Sequence, residues 1–103
     1  PCPPSITSKS VQGCIITINW SFSSGSGCGT PTSIEVGLLD PDTNTYVLDD
    51  PLPGTATSWS QCITESWLYN GWATIGIRGV NSAGRGTAKV IKYKPSTNEW
   101  IVS

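Results

Sequence analysis

The chain has 103 residues, the length of one small domain, and only 13% of them are charged, about half the share usual in soluble proteins. Six Lys and Arg against seven Asp and Glu give a net charge of −1, which argues against a nucleic-acid partner, because phosphate binding needs clustered basic residues. There is no His, so the commonest general base and metal ligand are both missing. We therefore predict that the chain is not an enzyme and has no cofactor and no metal site.

Four Cys in a chain this short, with no Cys-x-x-Cys pair, predict two disulfides rather than a zinc site. Disulfides persist in oxidising compartments, so we expect a secreted or cell-surface protein. No apolar run approaches the roughly 18 residues of a membrane span, so no membrane insertion is expected. The chain has neither a signal peptide nor an initiator Met, and we expect a mature or excised segment. Four Cys allow three pairings, and the residues alone leave that choice open.

Apolar and polar residues alternate along most of the chain, which predicts β-strands, and no stretch has a sustained helical period. Seven strands are predicted, at about residues 5–10, 14–20, 34–38, 46–48, 55–63, 72–79 and 87–93. Residues 23–31 are a loop by composition, and the Pro-rich run 49–54 is predicted to end the fourth strand. The apolar positions expected in the core are Ile16, Ile18, Trp20, Ile34, Val36, Leu38, Ile75 and Ile77.

Short strands separated by turn signals every 8–12 residues are typical of an all-β protein, here a seven-stranded, two-sheet antiparallel β-sandwich over residues 1–95. Residues 96–103 extend beyond the last predicted strand and end in apolar Trp100, Ile101 and Val102. This extension has two interpretations. It folds back on its own domain as an extra strand, or it is donated to the open edge of a neighbour's sheet. The second would make the chain a building block of a fibre.

The chain begins with Cys-Pro-Pro at 2–4, carries Trp20 late in its second strand, and runs from its sixth strand into Val-Asn-x-x-Gly at 80–84. In this order the three features resemble a fibronectin type III domain, an Ig-like sandwich, of the type found in exported bacterial proteins. The resemblance covers roughly residues 3–94. It departs from the family at Ala73, where a Tyr is usual.

The resemblance also implies a cysteine pairing. In that fold the N-terminus lies beside the loop after the second strand, which implies a Cys2–Cys28 disulfide. The start of the second strand lies beside the end of the fifth, which implies a Cys14–Cys62 disulfide. Each bridge would close a loop of tens of residues and stabilise the fold by about 3–4 kcal/mol.

We expect a non-catalytic extracellular structural or adhesion module, such as a spacer, an adhesin domain, or a subunit of a surface filament or virion. Its partner would be another protein or a second copy of the chain. The alternative is a carbohydrate-binding accessory module that stacks sugars on exposed indoles. At least two of the indoles are expected to pack locally under loops. The interaction candidates are Trp59, Trp67, Trp72, Trp100, Ile101 and Val102.

Two polar motifs have competing interpretations. Asp40, Asp42 and Asn44 alternate like the oxygen ligands of a calcium loop but lack the Gly and Glu that would complete it, so turn formation is favoured. Asp49 and Asp50 also precede a Pro and are interpreted as turn residues. The sequon at Asn19 would place a glycan on the outer face of the second strand if the source organism glycosylates such sites.

Overall fold

Ten β-strands and one 3-10 turn form the regular structure of this computed structural model, which describes residues 1–23 and 27–102. The strands are β1 (Ser5–Gln12), β2 (Ile15–Ser21), β3 (Ser33–Asp40), β4 (Thr45–Pro53), β5 (Ser58–Cys62), β6 (Leu68–Tyr69), β7 (Trp72–Asn81), β8 (Gly84–Arg85), β9 (Lys89–Lys94) and β10 (Glu99–Val102), and the 3-10 turn is Glu65–Trp67. Part of the predicted 23–31 loop and the last residue of the predicted extension lie outside the described residues. No helix in the described ranges has the length and apolar character that crossing a membrane requires.

The strands form two antiparallel sheets. The smaller sheet has the order β1–β2–β5, and the larger has the order β10–β9–β7–β3–β4, with the two-residue strands β6 and β8 paired to β7. The prediction of an all-β chain with two antiparallel sheets and two disulfides is confirmed. Each of the seven predicted strands has a counterpart. The three further strands β6, β8 and β10 have two to four residues, too few for alternation to predict reliably.

One hydrophobic cluster joins the two sheets, since residues from both belong to it. The eight apolar residues expected in the core are all buried, and six further members come from the strands and turns around them: Trp59, Ile63, Trp67, Ala73, Ile91 and Tyr93. The register keeps these side chains on facing surfaces, with Ile18 opposite Trp59 in one sheet and Val36 opposite Ile77 in the other. Each fully buried aliphatic side chain stabilises the fold by about 1.5–3 kcal/mol.

The prediction that residues 49–54 end the fourth strand is wrong, because β4 continues to Pro53. It is an edge strand, and among the described strands it pairs with β3 alone. The Gly54 N–H donates to the Thr32 carbonyl oxygen at 3.2 Å. In an antiparallel pair only every second residue bonds to the neighbouring strand, so Pro53 and Pro51, one and three residues before Gly54, fall at positions where no N–H is needed for a bond to β3. An edge strand tolerates proline there because the missing N–H would face solvent.

Glycine allows β4 to approach β3 closely. A Cβ built on Gly37 would overlap the carbonyl oxygen of Leu48. The same region carries a bulge, where Leu38 pairs with Leu48 but Leu39 pairs with Tyr46. Gly37 therefore sets the distance between the two backbones at the point where the pairing shifts by one residue.

Candidate functional site

Two disulfides tie the N-terminal segment and the smaller sheet into the fold. Cys2 is joined to Cys28 and Cys14 to Cys62, with Cα–Cα distances of 5.0 and 4.8 Å, and all four cysteines are paired. The pairing is the one that the resemblance implies. Cys14 lies just before β2 and Cys62 ends β5, where the Ile63 N–H also donates to the Cys14 carbonyl oxygen at 2.8 Å.

The tryptophans occupy the core and the sides of the fold rather than its open surface. Trp20, Trp59 and Trp67 are buried, while Trp72 and Trp100 are half-buried. The half-buried rings lie beneath lysines, with the Lys94 Nζ 5.6 Å from the Trp72 ring centroid and the Lys9 Nζ 5.9 Å from that of Trp100. In the part of the chain that is described, no indole is therefore fully exposed, and the carbohydrate alternative stays a prediction.

The open side between edge strands β4 and β5 contains a cavity of about 230 Å³, which we call the side cleft. Its walls are Gly37, Leu48, Asp49, Asp50, Trp59, Gln61 and Trp67. The Trp59 Nε1–H donates to the Asp50 Oδ2 at 3.0 Å and so bonds one sheet to the other. The turn assignment of Asp49 and Asp50 is wrong, because both lie within β4.

The two buried indoles at the base of the side cleft pack against each other. The Trp59 and Trp67 ring centroids are 6.1 Å apart, and their planes are tilted by 49°. Only 5% of Trp59 and 7% of Trp67 is exposed. They therefore form an angled aromatic base rather than a flat platform.

A charged cluster on the outer face of the larger sheet, the face turned away from the core, was not predicted. The Glu35 Oε1 accepts hydrogen bonds from the Nε of both Arg78 and Arg85, each at 2.9 Å. The Arg78 guanidinium lies 4.6 Å from the Tyr46 ring centroid, and the Tyr46 hydroxyl donates to the Glu35 carbonyl oxygen at 3.1 Å. Glu35 and Arg78 are direct cross-strand partners, a relation that only the register reveals.

Asp49 borders this cluster, and the two carboxyl groups, Glu35 and Asp49, have pKa values that are shifted in opposite directions. Burial raises the pKa of Glu35, but hydrogen bonds from Arg85 and Arg78 more than offset it and leave that pKa below its usual value. Burial, together with the adjacent Glu35 carboxylate, raises the pKa of Asp49. Burial also raises the pKa of Tyr46 well above its usual value, so its hydroxyl stays protonated. The cluster holds Glu35 as the anion and disfavours a second charge on Asp49.

Asp49→Asn is expected to stabilise the protein at pH 7 by about 0.5 kcal/mol, the usual size of a cross-strand charge effect. Because the pKa of Asp49 is raised in the folded state, the protonated side chain stabilises the fold. This contribution is complete when the pH is below the pKa of Asp49 in the unfolded chain, and it is lost as the pH rises through the pKa of Asp49 in the folded chain. The gain from the variant should therefore be near zero at about pH 3 and present at pH 7. Thermal melts at several pH values measure it. Glu35→Gln should do the opposite at pH 7, and a gain that is independent of pH would contradict the argument.

The C-terminal extension folds back on its own sheet as β10, paired with β9. Trp100 anchors it, because its ring packs on Tyr93 at a centroid distance of 4.6 Å and contacts the core. The two residues that follow are turned partly outward. Ile101 is 50% exposed and Val102 is 41% exposed, so β10 carries an apolar strip at the outer edge of the larger sheet.

Local hydrogen bonds explain two of the polar motifs. The Asp42 backbone N–H donates to the Asp40 Oδ1 at 2.9 Å, and Asn44 has φ +58°, so the 40–44 segment is a turn. In the described ranges no group of three or more His, Cys, Asp or Glu is placed to hold a metal. The Asn19 Nδ2 donates to the Ser8 Oγ at 2.8 Å across β1 and β2, and this bond would have to break before glycosylation.

A larger cavity, of about 310 Å³, lies where β2 ends, beside the residues that lead into β3 and those that join β4 to β5. Its walls are Trp20, Ser21, Phe22, Ser23, Thr30, Pro31, Gly54, Thr55, Ala56 and Thr57. These residues are apolar or hydroxylated, and none is charged. The Trp20 indole N–H is buried without a hydrogen-bond partner in the described part of the chain.

Comparison with known proteins finds no family model that matches this chain and no curated protein with significant similarity to it.

Proposed function

We propose that this chain is a non-catalytic extracellular module of the fibronectin type III kind, which acts through protein contacts at the edge of its larger sheet. The seven main strands divide into a three-stranded and a four-stranded antiparallel sheet around one core, which supports an Ig-like sandwich. Two disulfides in a chain of this size support an oxidising, extracellular compartment. The structural and adhesive role follows from how the sheet edges differ.

Two of the exposed edges carry devices that block pairing with another strand. β4 has Pro51 and Pro53, preceded by Asp49 and Asp50. β1 is interrupted by a bulge between Ile6 and Ser8, followed by a lysine. Prolines, charges and bulges at sheet edges are the usual means by which proteins prevent edge-to-edge association.

Apart from the charge of Glu99 at its start, the β10 edge has none of these devices, and this observation carries the proposal. Its sequence, Glu-Trp-Ile-Val at Glu99–Val102, has no proline, no lysine and no register shift against β9. Two of its four side chains are large, apolar and partly exposed. β5, the other edge of the smaller sheet, also lacks these devices, but its exposed residues Ser58 and Ser60 are polar. An unblocked edge with exposed apolar side chains indicates a pairing surface.

The partner that this edge fits best is a second copy of the same strand. Antiparallel pairing about a two-fold axis through Ile101 extends the sheet with matching faces. Each residue of one strand then lies opposite a residue whose side chain points to the same face of the sheet. Ile101 lies opposite its own counterpart on one face, and Trp100 lies opposite Val102 on the other. Both contacts are apolar, so the strip that is exposed in one chain is covered in the pair. Such a pair is the first step of a filament or array, which needs one further interface.

Ile101→Lys is expected to abolish self-association, because it places two like charges opposite each other at the two-fold axis. The matched control is Val47→Lys on the blocked β4 edge, where the side chain is 51% exposed, against 50% for Ile101. Chromatography with light scattering should give a dimer or larger species for the wild type and Val47→Lys, and a monomer for Ile101→Lys. Melting curves verify that both variants fold.

Two outcomes would overturn the proposal. One is a wild-type chain that stays monomeric at about 1 mM, since the association free energy would then be weaker than about −4 kcal/mol. The other is an equal loss of association in both lysine variants, which would mean that the effect comes from net charge and not from the β10 edge.

A further inference from the structure

The side cleft carries polar groups where the strand pattern predicts apolar ones. Asp50 lies opposite core Val36, and Gln61 lies opposite core Ile16, so both side chains are on the inner faces of their sheets. Inner faces of a two-sheet fold are normally filled with apolar residues. Here a carboxylate and an amide face the same opening from two edge strands, above the indoles of Trp59 and Trp67.

These polar groups have spare hydrogen-bonding capacity. The Asp50 Oδ2 accepts from the Trp59 Nε1–H, while its Oδ1 has no partner in the described part of the chain. The Gln61 Nε2 makes one contact, at 3.5 Å to the Cys62 carbonyl oxygen, which is at the limit of hydrogen-bonding distance. No Lys or Arg is among the lining residues. The cleft therefore presents an uncompensated carboxylate oxygen beside an aromatic base.

The shape of the base favours a compact cation over a sugar ring. A hexose stacks on a broad exposed ring face, and neither Trp59 nor Trp67 offers one, since each is over nine-tenths buried and the planes are tilted by 49°. A cation needs less area, because the attraction to an indole acts within about 6 Å of the ring centroid. The cavity volume of about 230 Å³ also suits a small group.

We infer that the side cleft binds an alkylammonium group, with the Asp50 carboxylate as its counter-ion, Gln61 as a polar contact, and Trp59, Trp67 and Leu48 as its apolar surroundings. The group is either the side chain of a lysine or a free quaternary ammonium, since both carry the positive charge that the carboxylate and the indoles attract, and the lysine ammonium can in addition donate to the Gln61 amide oxygen. The inference does not depend on self-association, because the β10 edge belongs to the other end of the larger sheet's strand order.

The test is titration of the full chain with two probes, tetramethylammonium chloride and N-acetyl-lysine methylamide, at constant ionic strength. The readout is the indole N–H resonance of Trp59 in two-dimensional NMR spectra, since that proton is bonded to the Asp50 carboxylate. A saturable shift of this resonance is expected with at least one probe. Saturation by the lysine derivative alone indicates a peptide source, saturation by tetramethylammonium alone a quaternary ammonium source, and saturation by both an unselective ammonium site.

Asp50→Asn should weaken binding at least tenfold, because it removes the charge but keeps an oxygen that accepts from Trp59. Its matched control is Asp42→Asn, which makes the same change of charge in the exposed 40–44 turn and should bind like the wild type. Gln61→Lys supplies a second test that leaves Asp50 intact, since a lysine at the cleft should occupy the site and prevent binding.

The inference is overturned if neither probe saturates below about 10 mM, a limit near −3 kcal/mol, or if Asp50→Asn and Asp42→Asn behave alike. It is also overturned if methyl glucoside shifts the Trp59 resonance in a saturable way and Asp50→Asn retains that response, because the cleft would then recognise hydroxyl groups. Failure of any of these tests leaves the result for Ile101→Lys unaffected.

Discussion

Replacing Cys14 and Cys62 together by Ser is expected to lower the free energy of unfolding by about 4 kcal/mol. The two cysteines are 48 residues apart in sequence, and closing a loop of that length lowers the conformational entropy of the unfolded chain. It also fastens β2 to β5, where the smaller sheet supplies Ile16, Ile18 and Trp59 to the core. For a domain of this length the melting temperature should fall by about 15–30 °C.

The matched control is Cys2→Ser with Cys28→Ser, which opens the shorter loop of 26 residues. The loop-entropy relation gives about 3.5 kcal/mol for this pair, so both double variants should be strongly destabilised in chemical denaturation, with the longer loop losing slightly more. A loss below about 1 kcal/mol in both variants would show that the reduced, unfolded chain retains enough structure to make the entropic argument fail.

Gly37→Ala is expected to be the most damaging single substitution of a glycine, with a loss of about 3 kcal/mol. The added Cβ would overlap the Leu48 carbonyl oxygen. Because this oxygen belongs to the backbone of β4, no rotamer change can relieve the overlap, and the whole edge strand must shift. We expect faster hydrogen exchange along β4 and a lower midpoint in urea.

Gly13→Asn is the comparison for that substitution. Gly13 has φ +62° in the turn between β1 and β2, and nothing lies within 4 Å of a Cβ built there. Asn tolerates this conformation better than other residues with a side chain, so a loss below about 1 kcal/mol is expected. Equal losses at the two positions would mean that the close approach of β4 to β3 does not limit stability.

The strands and the core were predictable because period-two alternation is a local property. Ile16, Ile18 and Trp20 share a face in any extended chain, and burial of one face follows from their composition. The end of β4 was not predictable in the same way. Whether Pro51 stops a strand depends on whether its missing N–H faces a neighbour, and that depends on the position of β4 at the sheet edge.

The candidate site was less predictable because its contacts join distant strands. Glu35 meets Arg78 and Arg85 across 43 and 50 residues, so opposite charges in the sequence give no indication of which ones pair. The tryptophans show the same limitation. Five tryptophans in so small a chain suggested that some rings would be exposed, but Trp59 is buried and Trp100 is half-buried, at opposite open sides between the two sheets. A sandwich needs large side chains there, because its edge strands leave the core open.

The return of β10 along β9 also determines how this module would respond to tension. Pro1 lies against Gly86 and Gly79, at the end where β7 finishes, and β10 leads the chain back toward that same end, since Val102 is level with Ile91. A force applied through Val102 would therefore load the β9–β10 hydrogen bonds one after another, from Val102 toward Glu99. Bonds loaded in sequence break at lower force than bonds loaded in parallel. The first event under load would be the peeling away of a four-residue strand, with both disulfides and the core, apart from its contact with Trp100, still intact.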